Sequence, residues 1–372
     1  MPSESAARQE LIKVSAYAAE RWDFVQASGG NTSVKSADGT MYVKASGCTL
    51  ADVAAGRGVA VVEYSSLRLG AAAAGSDALT EWDRKSTSAS GHGEPRPTME
   101  LSLHGLLGCV VLHTHPLVAN AFLCVEESRA RIEEVVKDQS GHLYVPYAMP
   151  GLELGLALWR VLADGARAGD DVPKVIFLEN HGVVVHGDSA DDVIGAHERI
   201  IGALVDALGG EADRLRFRSE QADTAVPVDV VSAIRHAVPQ RPALICIPAD
   251  FPVAPGVLFP DAAVFCGPSA IVLDEDARRS AAGVQRLAAE YLAAWGQPAR
   301  VWVCRDVALC SGANPGEARA VAEVWLAQQV VARLAGRVGR PRPLPGERVA
   351  QLLRSESEVY RREVAVRRGD HA

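Results

Sequence analysis

The chain has 372 residues, 48% of them hydrophobic and 23% charged, with a formal net charge of −8 at pH 7. That length suggests about two domains with enough chain to bury a core, and the apolar content excludes disorder as the main state. No apolar run approaches the roughly 20 residues that span a bilayer, the acidic balance excludes a general nucleic-acid binder, and the opening MPSESAARQELIKV has no signal-peptide pattern, so a cytoplasmic setting is expected.

Residues 5–26 read as an amphipathic helix, with Leu11, Ile12, Tyr17 and Trp22 at apolar positions. The helix is expected to end at Ser28-Gly29-Gly30-Asn31-Thr32-Ser33, where paired glycines and small polar residues demand a loop. A hairpin follows, SVK and MYVKAS around a turn at Asp38-Gly39, and then a strand over 59–67. The stretch 70–96, rich in Ala, Gly and Ser, is expected to cross the surface. A helix over about 97–107 leads into the apolar strand CVVLHTH, which Pro116 stops, and another helix covers 117–127. PKVIFLEN and GVVVHG read as two strands joined at Asn180-His181-Gly182. Ser189 followed by Asp192 resembles a capping box that opens a helix to about 208. Strands and helices mix here without strict βαβ alternation, which leaves both α/β and α+β open.

Composition shifts near 209–230, so a linker over 213–230 is expected between a first domain, 1–212, and a small α/β domain over 231–340. The second domain is expected to hold strands near 242–248, 262–266 and 299–304 and helices near 276–294 and 315–336. The tail, 341–372, turns from Pro-rich to helical and mixes arginines with acids, the pattern of a packed or solvated terminal helix. Cys48, Cys109, Cys124, Cys246, Cys266, Cys304 and Cys310 are odd in number, scattered and free of any C-x-x-C pair, which predicts buried small hydrophobes.

His113-Thr114-His115 closes an apolar strand, and side chains two apart on a strand share a face, so both imidazoles can reach one ion. His181, in a tight Asn-His-Gly turn between strands, is the best third ligand. His186 reads as a surface residue of the next strand, and His92, His104, His142, His197 and His236 as exposed or structural. Three histidines leave an open position on zinc, as a catalytic site requires. Glu100, at the start of the helix opening Pro97-Thr98-Met99-Glu100, supplies a proton acceptor, or else is an acid favoured by the helix dipole. The Gly- and Ser-bearing loops Gly29-Gly30-Asn31-Thr32-Ser33 and Ala45-Ser46-Gly47, with Thr98 near a helix N-terminus, suit a phosphate or another anion.

In order, SGGNTSVK, YVKASG, RPTMELSLHGLL, VVLHTHP and ENHGVVVHG resemble the class II aldolase/adducin family over about residues 5–210. The resemblance implies a three-layer fold around a mixed, largely antiparallel sheet, with the smaller C-terminal α/β domain added. It implies a zinc-dependent carbon–carbon lyase acting on a ketose phosphate or related hydroxy-ketone. Sugar-phosphate epimerases and β-keto-acid decarboxylases share the same metal chemistry, and the adducin branch contributes non-catalytic interaction modules. Carried over by motif, His113, His115 and His181 match the metal ligands, Glu100 the catalytic acid/base, and Gly30, Asn31, Ser46, Gly47 and Thr98 the substrate-phosphate loops. The wording is closest to the aldolase part of rhamnulose-phosphate aldolase/dehydrogenase-type proteins, and a homo-oligomer, usually a tetramer, is implied. Two departures stand out. Met99 replaces one of two adjacent hydroxyl residues, which opens the site to a substrate without phosphate, such as a hydroxy-keto acid, and the proton-donor tyrosine has only Tyr147 as a weak candidate.

Overall fold

The residues of the strand at 31–35 and of the strand at 110–114 are all buried, so both strands must lie between layers. The computed structural model describes residues 1–64, 71–88, 95–137, 141–168, 172–209, 226–241, 243–249, 253–360 and 364. The chain divides into two units, Met1–Ala212 and Asp213–Ala372. Residues 213–225 of the expected linker lie outside the described residues, as do His92 and residues 65–67 of the expected third strand.

The first unit runs α1 (Glu4–Ala19), β1 (Asn31–Lys35), β2 (Thr40–Lys44), α2 (Leu50–Ala54), β3 (Val59–Glu63), α3 (Ala71–Ser88) and α4 (Leu101–Leu106). It continues with β4 (Val110–Thr114), α5 (Leu117–Leu123), α6 (Ser128–Val136), β5 (His142–Val145), α7 (Leu152–Ala168), β6 (Val175–Leu178), β7 (Gly182–Gly187) and α8 (Ala190–Ala207). Among the described residues, seven strands form one sheet in the order β3-β2-β1-β4-β7-β6-β5, antiparallel at every pairing except β5–β6. Helices α1 and α8 pack on one face. On the other, Leu79, Trp82, Leu101, Leu103, Leu154 and Leu158 of α3, α4 and α7 share a core with Met41, Val43, Val111, Ile176 and Val184 of the sheet. This is the mixed, largely antiparallel three-layer arrangement expected above, and β4 lies at its centre.

Several elements differ from expectation. The stretch 70–96 contains the helix α3, because Leu79 and Trp82, three apart, bury one stripe and Trp82 Nε1 donates to the Glu63 carbonyl at 2.8 Å. Helix α1 stops at Ala19 rather than near 26; the chain leaves it so that the carbonyls of Asp23 and Phe24 accept from Leu117 and His115 at 2.9 and 2.8 Å. Helix α4 starts at Leu101, leaving Glu100 as its N-cap residue rather than inside its first turn. Ser189 caps α8 by accepting from the Asp192 amide, while the Asp192 carboxylate is engaged by Lys174 at 2.7 Å. A reciprocal capping box stands instead at Thr49 and Asp52, opening α2. Elements α6, β5, α7 and, in the second unit, a strand at 307–312 carried no expectation.

The second unit comprises α9 (Val228–Ala237), β8 (Ala243–Pro248), β9 (Ile271–Val272), α10 (Ala281–Trp295), β10 (Val301–Cys304), β11 (Val307–Gly312), α11 (Pro315–Val338) and α12 (Gly346–Arg354). Its sheet runs β8-β11-β10-β9. Helices α9 and α10 share a core with Trp302 and Leu309, and α11 packs along β8 and β11. Helix α9 starts inside the stretch expected as linker. The expected strand at 262–266 is a π-helical turn, Ala262–Cys266, buried throughout and tied down by Arg300 Nη1 to the carbonyls of Val264 and Phe265 at 2.6 and 3.0 Å. An unbroken apolar run has no periodicity to separate strand from helix. The described part of the tail is packed: Leu344, Val349 and Leu352 are buried, with α12 against the π-helical turn. Among the described residues no helix is long and apolar enough to cross a membrane.

Candidate metal centre and its buried supports

Strand alternation decides which side chains meet. Along β1, Asn31 and Ser33 point toward α4, where they bond Glu100 and His104, while Thr32 points toward α1 and meets Ser15 Oγ at 2.7 Å. On β4, Val111 lies in the core shared with α4 and α7, whereas Thr114 Oγ1 is 2.9 Å from His197 Nε2 on α8. His113 and His115 therefore emerge on the α4 side, at the end of the central strand.

His181 reaches them through the β6–β7 turn. Leu178 pairs with Gly182, and Asn180 takes the left-handed conformation, φ 51°, that asparagine tolerates. Gly182 lets the turn lie directly on β4: a Cβ there would fall 2.3 Å from the Thr114 carbonyl oxygen. On the far side of β4, Gly30, φ +62°, presses against the His113 carbonyl, where a Cβ would fall at 2.8 Å.

The result is a closed cluster. His113 Nε2 lies 3.0 Å from His115 Nε2 and 3.3 Å from His181 Nε2, and the ligating atoms of all three lie within 4.8 Å of one another. Each histidine is at most 4% exposed. His113 Nδ1 donates to the Val183 carbonyl at 3.1 Å, which leaves Nε2 with its lone pair toward the centre. Glu100 closes the fourth side, with Oε2 3.4 Å from His113 Nε2 and Oε1 3.2 Å from His181 Nε2. Burial alone raises its carboxyl pKa; the His113 and His181 rings and the Asn31 amide outweigh that and hold it at about 2. Nitrogen lone pairs facing one another at this separation, with an ionised carboxylate beside them, call for positive charge between them. That donor set fits a divalent cation bound by imidazole nitrogen.

The anion-loop candidates gather alongside. Lys44 Nζ donates to the carbonyls of Ser28 and Cys48 at 3.0 and 2.7 Å, drawing the segments at 28–31 and 45–48 together. The Ser46 amide donates to the Arg96 carbonyl and the Thr98 amide to the Lys44 carbonyl, at 2.8 and 3.0 Å. Thr98 Oγ1 accepts from the Glu100 amide at 3.4 Å, and Gly47 has φ 77°. Asn31 departs from the sequence expectation, because its amide is spent on Glu100 (2.7 Å) and on His104.

The remaining histidines sort by position. His186 donates from Nε2 to the Pro173 carbonyl at 3.0 Å, two residues along β7 from the position paired with His113, and is 8% exposed rather than at the surface. His142 sits edge-on to Phe177, and His236 is bonded to the Ser232 carbonyl on α9. His197 is fully buried between Thr114 and Tyr17. Tyr147 donates its amide to Glu179 Oε2 at 2.9 Å, next to the turn that carries His181. Sequence reasoning left His104 as exposed or structural, took Ser33 only as part of an anion loop, and passed over Lys44. The signal for His104 was its position four residues after Glu100, one helical turn on.

No curated protein sequence matches this chain. In solved structures, the N-terminal class II aldolase domain of a conserved protein from Thermoplasma acidophilum is 22% identical, covering 56% of this chain and 96% of that one at a TM-score of 0.43. A sugar-phosphate aldolase from Thermotoga maritima is 16% identical over 57% of this chain and 98% of that one, TM-score 0.39. An L-fuculose-1-phosphate aldolase from Thermus thermophilus is 15% identical over 57% and 97%, TM-score 0.34. The sequence profile described as class II aldolase and adducin N-terminal domain matches residues 9–203, more than half of the chain. This chain belongs to the class II aldolase and adducin N-terminal domain family.

Proposed function

We propose that this chain is a metal-dependent aldolase that cleaves a carbon–carbon bond in a ketose phosphate or a related hydroxy-ketone. The observation that carries the reading is Glu100, a buried carboxyl group within 3.4 Å of two imidazoles of a three-histidine cluster. His113, His115 and His181 would hold the ion, and imidazole ligation favours zinc. A divalent cation bound there would supply Lewis-acid stabilisation for the negative charge that develops as the carbon–carbon bond breaks.

The protein groups do the rest. Glu100 carries the proton to and from the reacting carbon, and its exclusion from water keeps that proton on the reacting centre. Asn31 holds the carboxylate by one charge-assisted hydrogen bond. The backbone and hydroxyls of Gly30, Ser46, Gly47 and Thr98 receive the anionic end of the substrate. The protein acts as a homo-oligomer, a tetramer in this reading, in the cytoplasm. The adducin-like alternative draws no support from a cluster that keeps all three histidines and the glutamate.

Three measurements test this. Elemental analysis of purified protein should find about one divalent ion per chain. Metal-loaded protein should release an aldehyde and dihydroxyacetone phosphate, or the corresponding ketone, from one member of a panel of ketose 1-phosphates and hydroxy-keto acids. Glu100→Gln should keep its metal and lose about 100- to 10,000-fold in turnover. Epimerised product without aldehyde, or carbon dioxide alone, would replace the lyase with an epimerase or a decarboxylase.

A further inference from the structure

Behind Glu100, four buried polar side chains form a line from α4 to β1 and back. Asn31 Nδ2 donates to Glu100 Oε2 at 2.7 Å, Asn31 Oδ1 accepts from His104 Nε2, and His104 Nδ1 lies 2.7 Å from Ser33 Oγ. Glu100 and Asn31 are each 5% exposed, and Ser33 and His104 are fully buried. Proton bookkeeping along this line has one solution. A carboxylate accepts only, so the Asn31 NH2 must face Glu100 and its oxygen must face His104. The oxygen needs a donor, so His104 carries its proton on Nε2, and Nδ1 accepts from the Ser33 hydroxyl. The opposite tautomer would turn the Asn31 oxygen onto Glu100, setting two acceptors against each other. Burial pushes the His104 pKa down to about 3, consistent with a neutral ring.

We infer that His104 is a positioning residue: through the Asn31 amide it fixes the orientation of the Glu100 carboxylate against His113 and His181. The value of that orientation for turnover rests on the lyase reading above; the positioning itself does not.

The chain has four asparagines, Asn31, Asn120, Asn180 and Asn314, so selective 15N-asparagine labelling isolates the side chain of interest. In metal-free protein the Asn31 NH2 should stand apart, shifted by its carboxylate partner and protected from exchange with water. Glutamine places an amide nitrogen where Nε2 stands, whereas asparagine places one where Nδ1 stands. His104→Gln should therefore retain the Asn31 signature, and His104→Asn should lose at least about tenfold of its exchange protection. In the unsubstituted protein, long-range ring correlations should report the Nε2–H form, a test that survives if either variant fails to fold. If lyase turnover is present, kcat should fall in His104→Asn with KM little changed and recover in His104→Gln. An Nδ1–H ring, or an Asn31 signature indifferent to His104→Asn, would overturn the inference. Intact Asn31 behaviour without turnover would sink the lyase reading alone, and normal turnover with an Asn31 signature indifferent to His104→Asn would sink this one alone.

Discussion

Asn31 and His113 stand directly opposite each other across the β1–β4 ladder, and both converge on the same oxygen of Glu100. The Asn31 amide reaches Oε2 at 2.7 Å and the His113 ring nitrogen comes within 3.4 Å of it. Strand register, set by hydrophobic pairing, thereby decides the surroundings of the one carboxylate in the cluster.

Gly182 is where that arrangement is most sensitive to a single atom. A methyl group would meet the Thr114 carbonyl at 2.3 Å and His115 Cδ2 at 3.0 Å, so Gly182→Ala must move the turn that carries His181. Metal affinity, measured by competition with a chelating dye, should fall about 10- to 100-fold, the range seen when the support of a ligand is disturbed. Unchanged affinity would mean that the turn is not held against β4.

His197 links site and stability on the other side of β4. Burial lowers its pKa from the ordinary 6.5 to about 3, while Thr114 and Tyr17 bond its two nitrogens at 2.9 Å. The unfolded ring takes up a proton near pH 6.5 that the folded ring refuses until about pH 3. The associated stability is complete above 6.5 and drains away as pH falls toward 3, by about 1.4 kcal/mol per pH unit per proton. In His197→Gln the decline of the first unit's unfolding midpoint between pH 6.5 and 4.5 should be shallower than in the parent. A parallel decline in both proteins would contradict the assignment.

Lys35 carries the same sign into the alkaline range. Its ammonium donates to the carbonyls of Gly105 and Leu107 while 3% exposed, and burial lowers its pKa from 10.5 to about 7. Below about pH 7 the folded state carries a desolvated charge, and that cost is relieved as pH rises toward 10.5. Lys35→Met should be most favourable to stability at pH 6. Its margin relative to the parent should shrink by an amount on the order of a few kcal/mol by pH 10. A margin constant with pH, read from thermal midpoints, would show that the ammonium is not desolvated.

How much of this was legible depends on whether a residue's partners lie nearby in sequence. That His113 and His115 share a face follows from the two-residue repeat of a strand, and the Asn-His-Gly turn announced that His181 is held tightly. The order of the five motifs carried the sheet and its helical layers with it. Helix α3 was hidden by its composition, since Ala, Gly and Ser mask the Leu79–Trp82 spacing. The π-helical turn at 262–266 was hidden by the lack of any period in AAVFC. His104 and His197 were invisible as supports because their partners, Asn31 and Thr114, lie 73 and 83 residues away. Beyond the one-turn spacing of His104 from Glu100, no local pattern records such contacts.

The strict division of labour along β1 leaves that strand little evolutionary latitude in length. Deleting or inserting one residue before Asn31 would exchange its two faces, setting Thr32 against α4 and turning Asn31 and Ser33 toward α1. Glu100 would lose its amide donor and His104 its hydroxyl in the same event, without any change of amino-acid type. Length variation in this part of the chain should therefore be confined to the turn between β1 and β2, beyond the reach of the cluster.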